Sequence, residues 1–200
     1  DVLSASLLNI VWYENTDGNG GFSAQQMITR DANGATSVYA TDLDNDGDKD
    51  VLSAFDGFLE DKIAWYENTD GNGSFSSQQV ITTGVDRAQS VYAADLDGDS
   101  DMDVLSASLN DDKIAWYENT DGNGSFGSQQ VITTNADGAT SVYATDLDND
   151  GDKDVLSASE SFNFIDKIAW YENTDGNGSF SGQQVITTNT NGATSVYAAD

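Results

Sequence analysis

The amino-acid sequence predicts an all-β protein, a β-propeller made of four-stranded antiparallel blades. Three observations support this prediction. The chain of 200 residues consists of four similar units of about fifty residues. Each unit contains short runs rich in Val, Ile, Tyr, Trp and Thr, separated by Gly, Asn and Asp clusters. No segment shows helical periodicity over ten or more residues.

The repeat is visible as a five-residue string, Asp-Val-Leu-Ser-Ala, which begins at Asp1, Asp50, Asp103 and Asp154. These positions divide one predicted domain, residues 1–200, into units 1–49, 50–102, 103–153 and 154–200. The distance from each unit's tryptophan to the next acidic run is constant, whereas the distance from the string to the tryptophan varies. All length variation is therefore confined to one loop per unit, the variable loop.

The strands can be placed in the second unit. They are expected near residues 51–54, 63–68 and 78–82, with a strand near 90–93 opening the next sheet. Along the second of these strands, Ile63 and Trp65 point to one face while Ala64 and Tyr66 point to the other. Both faces are apolar, so each sheet needs a neighbour on either side, which favours a propeller blade. An open solenoid or linear array of the same sheets is the alternative.

The two ends of the sequence fall within the repeat. The first unit lacks its opening strand, and residues 195–198 form a spare strand that could complete it. We therefore expect an excerpt of a longer array, with further repeats or a second copy completing the ring.

The composition excludes several classes of function. The chain has 35 acidic against 7 basic residues, a formal charge of -28, and no His, Cys or Pro. Thiolate or imidazole metal sites, disulfides and nucleophilic triads with histidine are therefore ruled out. The negative charge disfavours nucleic acid and anionic lipid as partners, and no stretch of 18 apolar residues could span a membrane.

Three acidic loops, residues 42–50, 95–103 and 146–154, carry the candidate chemistry. Aspartates at positions 1, 3, 5 and 9 of each loop can direct their oxygens to one centre, where they would repel one another without a divalent cation. With the carbonyl of position 7 and a water, six or seven oxygens are available, which favours Ca²⁺. A solvated acidic turn or a halophilic surface is the alternative interpretation.

These loops, together with the Lys-Ile-Ala-Trp-Tyr-Glu-Asn segments, resemble FG-GAP and VCBS-type repeats over the whole chain. The resemblance implies calcium-binding propeller blades, as in integrin α-subunit heads and secreted bacterial and algal proteins. The sequence departs from the pattern at Ser100, which replaces Gly at position 6, and in its lack of proline. The implied ligands, with the seventh residue of each loop contributing its carbonyl, are Asp42, Asp44, Asp46, Asp48, Asp50, Asp95, Asp97, Asp99, Asp101, Asp103, Asp146, Asp148, Asp150, Asp152 and Asp154.

Other repeated features have structural interpretations. The tryptophans Trp12, Trp65, Trp116 and Trp170 are expected in the core between blades rather than against sugar rings. The Asp-Gly-Asn-Gly segments are expected to be hairpin turns. Three of these turns carry Asn-Gly-Ser sequons that a eukaryotic secretory pathway could glycosylate. Their asparagines are Asn72, Asn123 and Asn177.

The variable loops carry apolar side chains at residues 7–8, 55–59, 109–112 and 160–165. They could recognise a partner or simply cover the rim of the next blade. We therefore expect an extracellular, secreted or cell-surface adhesion module that Ca²⁺ stabilises, with a protein or glycan partner at these loops. A lectin using clefts between blades is the alternative. Enzymatic activity, such as glycoside hydrolysis by two carboxylates, is not expected, because every conspicuous carboxylate recurs in each unit, whereas a catalytic pair is normally unique. Among the acidic side chains of the variable loops, Glu60 and Glu160 merit testing.

Overall fold

The computed structural model describes residues 1–57, 60–161 and 166–199. Within these residues the chain forms fifteen strands in four antiparallel sheets, and no helix. No helix in the described part is therefore long and apolar enough to cross a membrane.

The strands of sheet 1 are β1 (Val2–Ala5), β2 (Ile10–Tyr13) and β3 (Gln26–Thr29). Those of sheet 2 are β4 (Ala35–Thr41), β5 (Asp50–Phe55), β6 (Lys62–Tyr66) and β7 (Gln79–Thr82). Those of sheet 3 are β8 (Ala88–Ala94), β9 (Asp103–Ser108), β10 (Lys113–Tyr117) and β11 (Gln130–Thr133). Those of sheet 4 are β12 (Ala139–Thr145), β13 (Asp154–Ser159), β14 (Lys167–Tyr171) and β15 (Gln184–Thr187).

The all-β prediction is confirmed, and sheets 2 to 4 each contain four strands in sequence order. Each of these sheets opens with the strand that precedes an acidic loop. Sheet 1 contains three strands and lacks this opening strand. The four strands predicted around the second unit correspond to β5, β6, β7 and β8, with ends that differ by at most two residues.

One predicted strand is not observed. Residues 195–198 were expected to be extended and paired, but residues 193–199 belong to no strand. The physical reason is that a strand is defined by hydrogen bonds to a neighbour, and the described residues offer this segment no second strand. The segment nevertheless lies against sheet 4, where Val196 N donates to Ser141 Oγ at 3.2 Å.

The sheets pack face to face in chain order, and an apolar cluster fills each interface. Trp65 lies in the cluster between sheets 2 and 3, whereas its neighbour Tyr66 lies in the cluster between sheets 1 and 2. This confirms that β6 buries both of its faces. Trp65 and Trp116 are each only 3% exposed, as expected of core residues. Trp12 and Trp170 lie in the two outermost sheets and are partly exposed.

The Asp-Gly-Asn-Gly turns also form contacts between sheets. The second glycine of the turn has a positive φ, which is 77° at Gly124 and 75° at Gly178. A Cβ atom added at Gly124 would collide with the indole of Trp65 in the preceding sheet, and one at Gly178 with the indole of Trp116. Glycine is therefore required here for close packing as well as for the turn.

The variable loops contain a second link between sheets. Asp61 accepts a hydrogen bond from the backbone N of Arg87 at 2.7 Å, and Asp112 accepts one from the backbone N of Gly138 at 2.8 Å. Each acceptor lies before the third strand of its sheet, and each donor lies just before the first strand of the next sheet.

Of the apolar residues in the variable loops, Leu7 and Leu8 are exposed, while Phe55 is buried. Residues 58–59 and 162–165 of these loops lie outside the described part of the chain.

Candidate metal centres

The three acidic loops occupy equivalent places in the fold. Each joins the first strand of a sheet to the second, and all three lie at the same end of their sheets. Positions 4 and 6 of each loop have positive φ, so the chain coils tightly enough to turn alternate side chains inwards. At position 6 the angle is 96° for Gly47, 82° for Ser100 and 104° for Gly151. Ser100 therefore keeps the loop geometry, in a conformation that costs a side chain about 1–2 kcal/mol.

Each loop brings three carboxylates together. One oxygen from each member of the group lies within 4.8 Å of the others. In loops 42–50 and 146–154 the group consists of positions 1, 3 and 9, and in loop 95–103 it consists of positions 1, 3 and 5. The groups are Asp42, Asp44 and Asp50; Asp95, Asp97 and Asp99; and Asp146, Asp148 and Asp154. The predicted side-chain ligands Asp46, Asp103 and Asp150 lie outside these groups.

The aspartate at position 9 is buried and fixed by two backbone groups. Asp50 accepts hydrogen bonds from the backbone N atoms of Leu43 and Asn68, both at 2.8 Å. Asp103 makes the equivalent bonds to Leu96 and Asn119, both at 2.9 Å. This residue therefore ties the start of the acidic loop to the segment after the third strand. It keeps further lone pairs on both oxygens, which a metal ion could use.

Several aspartates of the acidic loops have raised pKa values, so their ionised forms are disfavoured when no cation is bound. Burial raises the pKa of Asp50 to about 6 and that of Asp103 to about 7, with smaller contributions from neighbouring carboxylates. Burial also raises the pKa of Asp44 and Asp97, and the negative charges of Asp46 and Asp99 raise them further. A divalent cation would remove this penalty, because it favours the ionised form of every surrounding carboxylate.

One oxygen in the first loop is left without a partner. Asp42 Oδ2 accepts a hydrogen bond from the backbone N of Gly47 at 3.0 Å, but Asp42 Oδ1 is buried and has no partner among the described residues. A buried carboxylate oxygen without a donor is costly. The donor set consists of oxygens alone, which is typical of a hard cation such as Ca²⁺. The residues present therefore fit a bound divalent cation.

The side chain of the aspartate at position 7 has a different role. The carboxylates of Asp48, Asp101 and Asp152 lie over the first glycine of the adjacent Asp-Gly-Asn-Gly turn. Asp101 also accepts a hydrogen bond from Asn45 Nδ2 at 2.8 Å, which links two neighbouring acidic loops. These side chains therefore lie against the neighbouring turns and outside the three carboxylate groups.

The structure adds residues that the sequence reasoning missed. Asn119 Nδ2 donates to the carbonyl of Leu43 at 2.8 Å, and Asn173 Nδ2 donates to the carbonyl of Leu96 at 2.8 Å. Each asparagine thus holds the acidic loop of the preceding sheet. The signal in the sequence was the final Asn of Lys-Ile-Ala-Trp-Tyr-Glu-Asn, which recurs in units two to four without an apolar role.

Comparison with solved structures finds, among others, two matches of low sequence identity. The first of them resembles the chain in fold. NanB plus Optactamide has a TM-score of 0.57 at 10% identity, over 86% of this chain and 27% of that chain. The V. cholerae biofilm matrix protein Bap1 has a TM-score of 0.38 at 18% identity, over 92% of this chain and 32% of that chain. The chain thus spans about a quarter to a third of the length of each.

No curated protein sequence matches the chain. A family model does match it, four times in succession. The model describes the FG-GAP-like repeat, and the matches cover residues 1–53, 42–106, 95–157 and 146–200. Each match includes at least one of the three acidic loops. The chain belongs to the FG-GAP-like repeat family.

Proposed function

We propose that the chain is a non-enzymatic, calcium-stabilised structural or adhesion module outside the cell, whose variable loops meet a protein or glycan partner. The observation that carries this proposal is the carboxylate group in each acidic loop, with oxygens within 4.8 Å of one another. These groups lie between the first and second strands of their sheets. Cation binding there would stabilise the scaffold rather than act on a substrate.

In the first site, Asp42, Asp44 and Asp50 would hold the ion, with Asp46 and the carbonyl of Asp48 as further oxygens implied by the family. A bound Ca²⁺ supplies positive charge that cancels the repulsion among these carboxylates. The chain's own contribution is to hold the loop in shape through the position-9 aspartate. Because the unfolded chain lacks this arrangement, binding free energy becomes folding free energy.

Binding stoichiometry tests the assignment. Isothermal titration with CaCl₂ is expected to show three sites in the wild type and two in each of the variants Asp44→Asn, Asp97→Asn and Asp148→Asn. Asparagine keeps the size and one acceptor oxygen but removes the charge. The exposed Asp31, outside the loops, provides the control Asp31→Asn, which should keep three sites. Equal stoichiometry in all five proteins would refute the assignment.

The arrangement of first strands supports a propeller rather than a linear array. The rings of Tyr39, Tyr92 and Tyr143, on β4, β8 and β12, lie against one another with centroids 4.7 Å apart at each step and planes tilted by 48° and 49°. The opening strands of successive sheets therefore run side by side in close contact, as blades do around a common axis. Electron microscopy of the chain within a longer repeat array would distinguish a closed ring from an extended one.

An extracellular location is part of the same proposal. Extracellular calcium modules bind Ca²⁺ with dissociation constants of about 10⁻⁴ to 10⁻³ M. We expect the acidic loops to fall in this range, as is typical of extracellular calcium modules. Dissociation constants near those of cytosolic calcium buffers, about 10⁻⁹ to 10⁻⁸ M, would contradict this part of the proposal.

The lectin alternative depends on aromatic rings that can reach a sugar. Trp65 and Trp116 are buried between sheets and cannot do so, whereas Trp12 lines an open cleft between sheets 1 and 2. A glycan array separates the alternatives. Selective sugar binding that Trp12→Ala abolishes would favour a lectin, whereas binding that depends on the variable loops would favour the proposed adhesion module.

A further inference from the structure

Neighbouring acidic loops contact each other differently at the two faces of sheet 3. Between sheets 2 and 3, Asn45 at position 4 of loop 42–50 donates through Nδ2 to Asp101 Oδ1 at 2.8 Å and to the carbonyl of Gly122 at 3.0 Å. The amide thus joins its loop to two acceptors of the next unit, the carboxylate at position 7 and the carbonyl of the first turn glycine. Gly122 is buried at this contact.

Between sheets 3 and 4 this amide is absent, because position 4 of loop 95–103 is Gly98. Its backbone resembles that of Asn45, with a φ of 80° against 60°. A Cβ atom added at Gly98 would lie 3.1 Å from the carbonyl oxygen of Gly176. The equivalent acceptors, the carboxylate of Asp152 and the carbonyl of Gly176, receive no hydrogen bond from the described residues. Two acceptors therefore lack the donor that their counterparts have.

A cleft of about 100 Å³, here called the inter-loop cleft, lies at this place between loops 95–103 and 146–154. It has room for an ion and a few water molecules. At the interface between sheets 2 and 3, the side chain of Asn45 takes the equivalent place. The residues that line the inter-loop cleft are Asp95, Leu96, Gly98, Gly151, Asp152, Lys153, Asn173 and Gly176.

One oxygen of the lining residues is buried and unpaired. Asn173 is 1% exposed, and its Nδ2 donates to the carbonyl of Leu96 at 2.8 Å, but its Oδ1 has no partner among the described residues. A buried amide oxygen without a donor is costly. Asn119 Oδ1 is likewise unpaired at the interface between sheets 2 and 3. The feature that sets the inter-loop cleft apart is therefore the missing amide at position 4.

The charges around the inter-loop cleft favour an occupant with a single positive charge. Asp95 belongs to the carboxylate group of its own loop, whereas the side chain of Asp152 lies outside the three groups. The other oxygens, from Gly176 and Asn173, are neutral. Lys153 makes no ion pair with a described residue, and its charge disfavours a divalent ion beside it. One carboxylate with neutral oxygens suits a monovalent cation, whose hydration shell carbonyl oxygens can replace.

We infer that the inter-loop cleft binds a monovalent cation, Na⁺ or K⁺, between the acidic loops of sheets 3 and 4. Asp152, the carbonyl of Gly176 and Asn173 Oδ1 would supply oxygens, and water the rest. The ion would join the two loops as the amide of Asn45 does between sheets 2 and 3. This site is separate from the three proposed calcium sites, so the inference goes beyond the proposed function.

Melting temperatures in saturating CaCl₂ test the inference, since calcium then keeps other cations out of the carboxylate groups. NaCl, KCl and tetramethylammonium chloride are compared at equal ionic strength, because the methyl groups of the last cation keep its charge away from oxygen ligands. The wild type is expected to melt about 2–4 °C higher in NaCl or KCl, at a concentration several times the dissociation constant. The salt with the larger effect identifies the preferred ion. Equal melting temperatures in all three salts would overturn the inference.

Two exchanges at position 4 provide matched variants. Gly98→Asn supplies the missing amide and is expected to remove the difference among the salts. Asn45→Gly opens the equivalent place beside Asp101 and Asn119, and is expected roughly to double the difference. Asn45 and Asn149 hold φ of 60° and 64° in their own loops, so the Gly98→Asn protein should fold and bind calcium normally. A Gly98→Asn protein that keeps the full salt difference would refute the site.

Anomalous scattering locates the ion directly. Thallium(I) replaces either Na⁺ or K⁺, and crystals grown in thallium(I) acetate with calcium acetate are expected to show a peak between Asp152 and Gly176. Crystals of Gly98→Asn should show none there, while both proteins keep density in the carboxylate groups. A wild-type inter-loop cleft that holds only water under these conditions would overturn the inference, whatever the carboxylate groups bind.

Discussion

At the scale of single residues, backbone conformation decides which side chains the acidic loops and hairpin turns accept. Ser100 shows this most directly, because it holds a φ of 82° where the other two loops have glycine. The loop retains its shape, with Ser100 N donating to Asp95 Oδ2 at 3.1 Å. The substitution therefore costs conformational energy without changing the hydrogen bonds of the loop.

Ser100→Gly is expected to stabilise the protein by about 1 kcal/mol, because glycine adopts positive φ without a Cβ penalty. In a chain of this size that corresponds to a rise in melting temperature of about 2–4 °C. The reverse change in the third loop, Gly151→Ser, should lower the melting temperature by a similar amount. An unchanged or lowered melting temperature for Ser100→Gly would contradict the conformational explanation.

Gly124→Ala is expected to destabilise the protein by about 2–4 kcal/mol, because a methyl group there requires both a strained φ and a displaced Trp65 indole. Thermal melting followed by tryptophan fluorescence would measure the effect. Gly182→Ala is the matched control, since its backbone has no positive φ and a Cβ meets no atom within 4 Å. Equal melting temperatures for the two variants would argue against the inter-sheet role of the turn.

At the scale of elements, the alternation of apolar side chains in β6 predicted its two buried faces, and Trp65 and Tyr66 confirm it. The segment 195–198 was predicted as a strand because local sequence cannot reveal whether a pairing partner is present. The Asp61 and Asp112 links between sheets were also missed. They depend on residues 26 positions apart in sequence, which only the fold brings together.

The acidic loops make stability depend on pH when no metal is bound. The pKa of Asp50 is raised to about 6 and that of Asp103 to about 7, so the folded state binds protons more tightly than the unfolded chain. The stability from these groups is present below an unfolded pKa of about 3.9 and is lost as pH rises through 6 to 7. The melting temperature in chelator is therefore expected to fall over this range.

Calcium should reverse part of this trend, because it binds the ionised carboxylates that high pH provides. The rise in melting temperature on adding CaCl₂ is expected to grow between about pH 5 and pH 8. Melting curves at a series of pH values, each with and without calcium, would measure both effects. A metal-free protein that becomes more stable as pH rises through this range would contradict the raised pKa values.

At the scale of the whole molecule, four units with similar sequences form a row of sheets joined by apolar clusters, turn glycines and acidic loops. The repeat, the strands and the positions of the three loops could be predicted from sequence spacing alone. The composition of each carboxylate group could not. It depends on whether the aspartate at position 5 or the one at position 9 approaches the other two, and this differs between loops although Asp50 and Asp103 make equivalent backbone hydrogen bonds.

We propose above all that a cation stabilises the acidic loops and, through them, the packing of neighbouring sheets. The most direct test is differential scanning calorimetry of the wild type in millimolar CaCl₂ and in excess chelator. We expect calcium to raise the melting temperature of the wild type by a large amount. In each of Asp44→Asn, Asp97→Asn and Asp148→Asn this rise is expected to be smaller by roughly a third, if the three sites contribute equally. Identical melting curves in calcium and in chelator would contradict it.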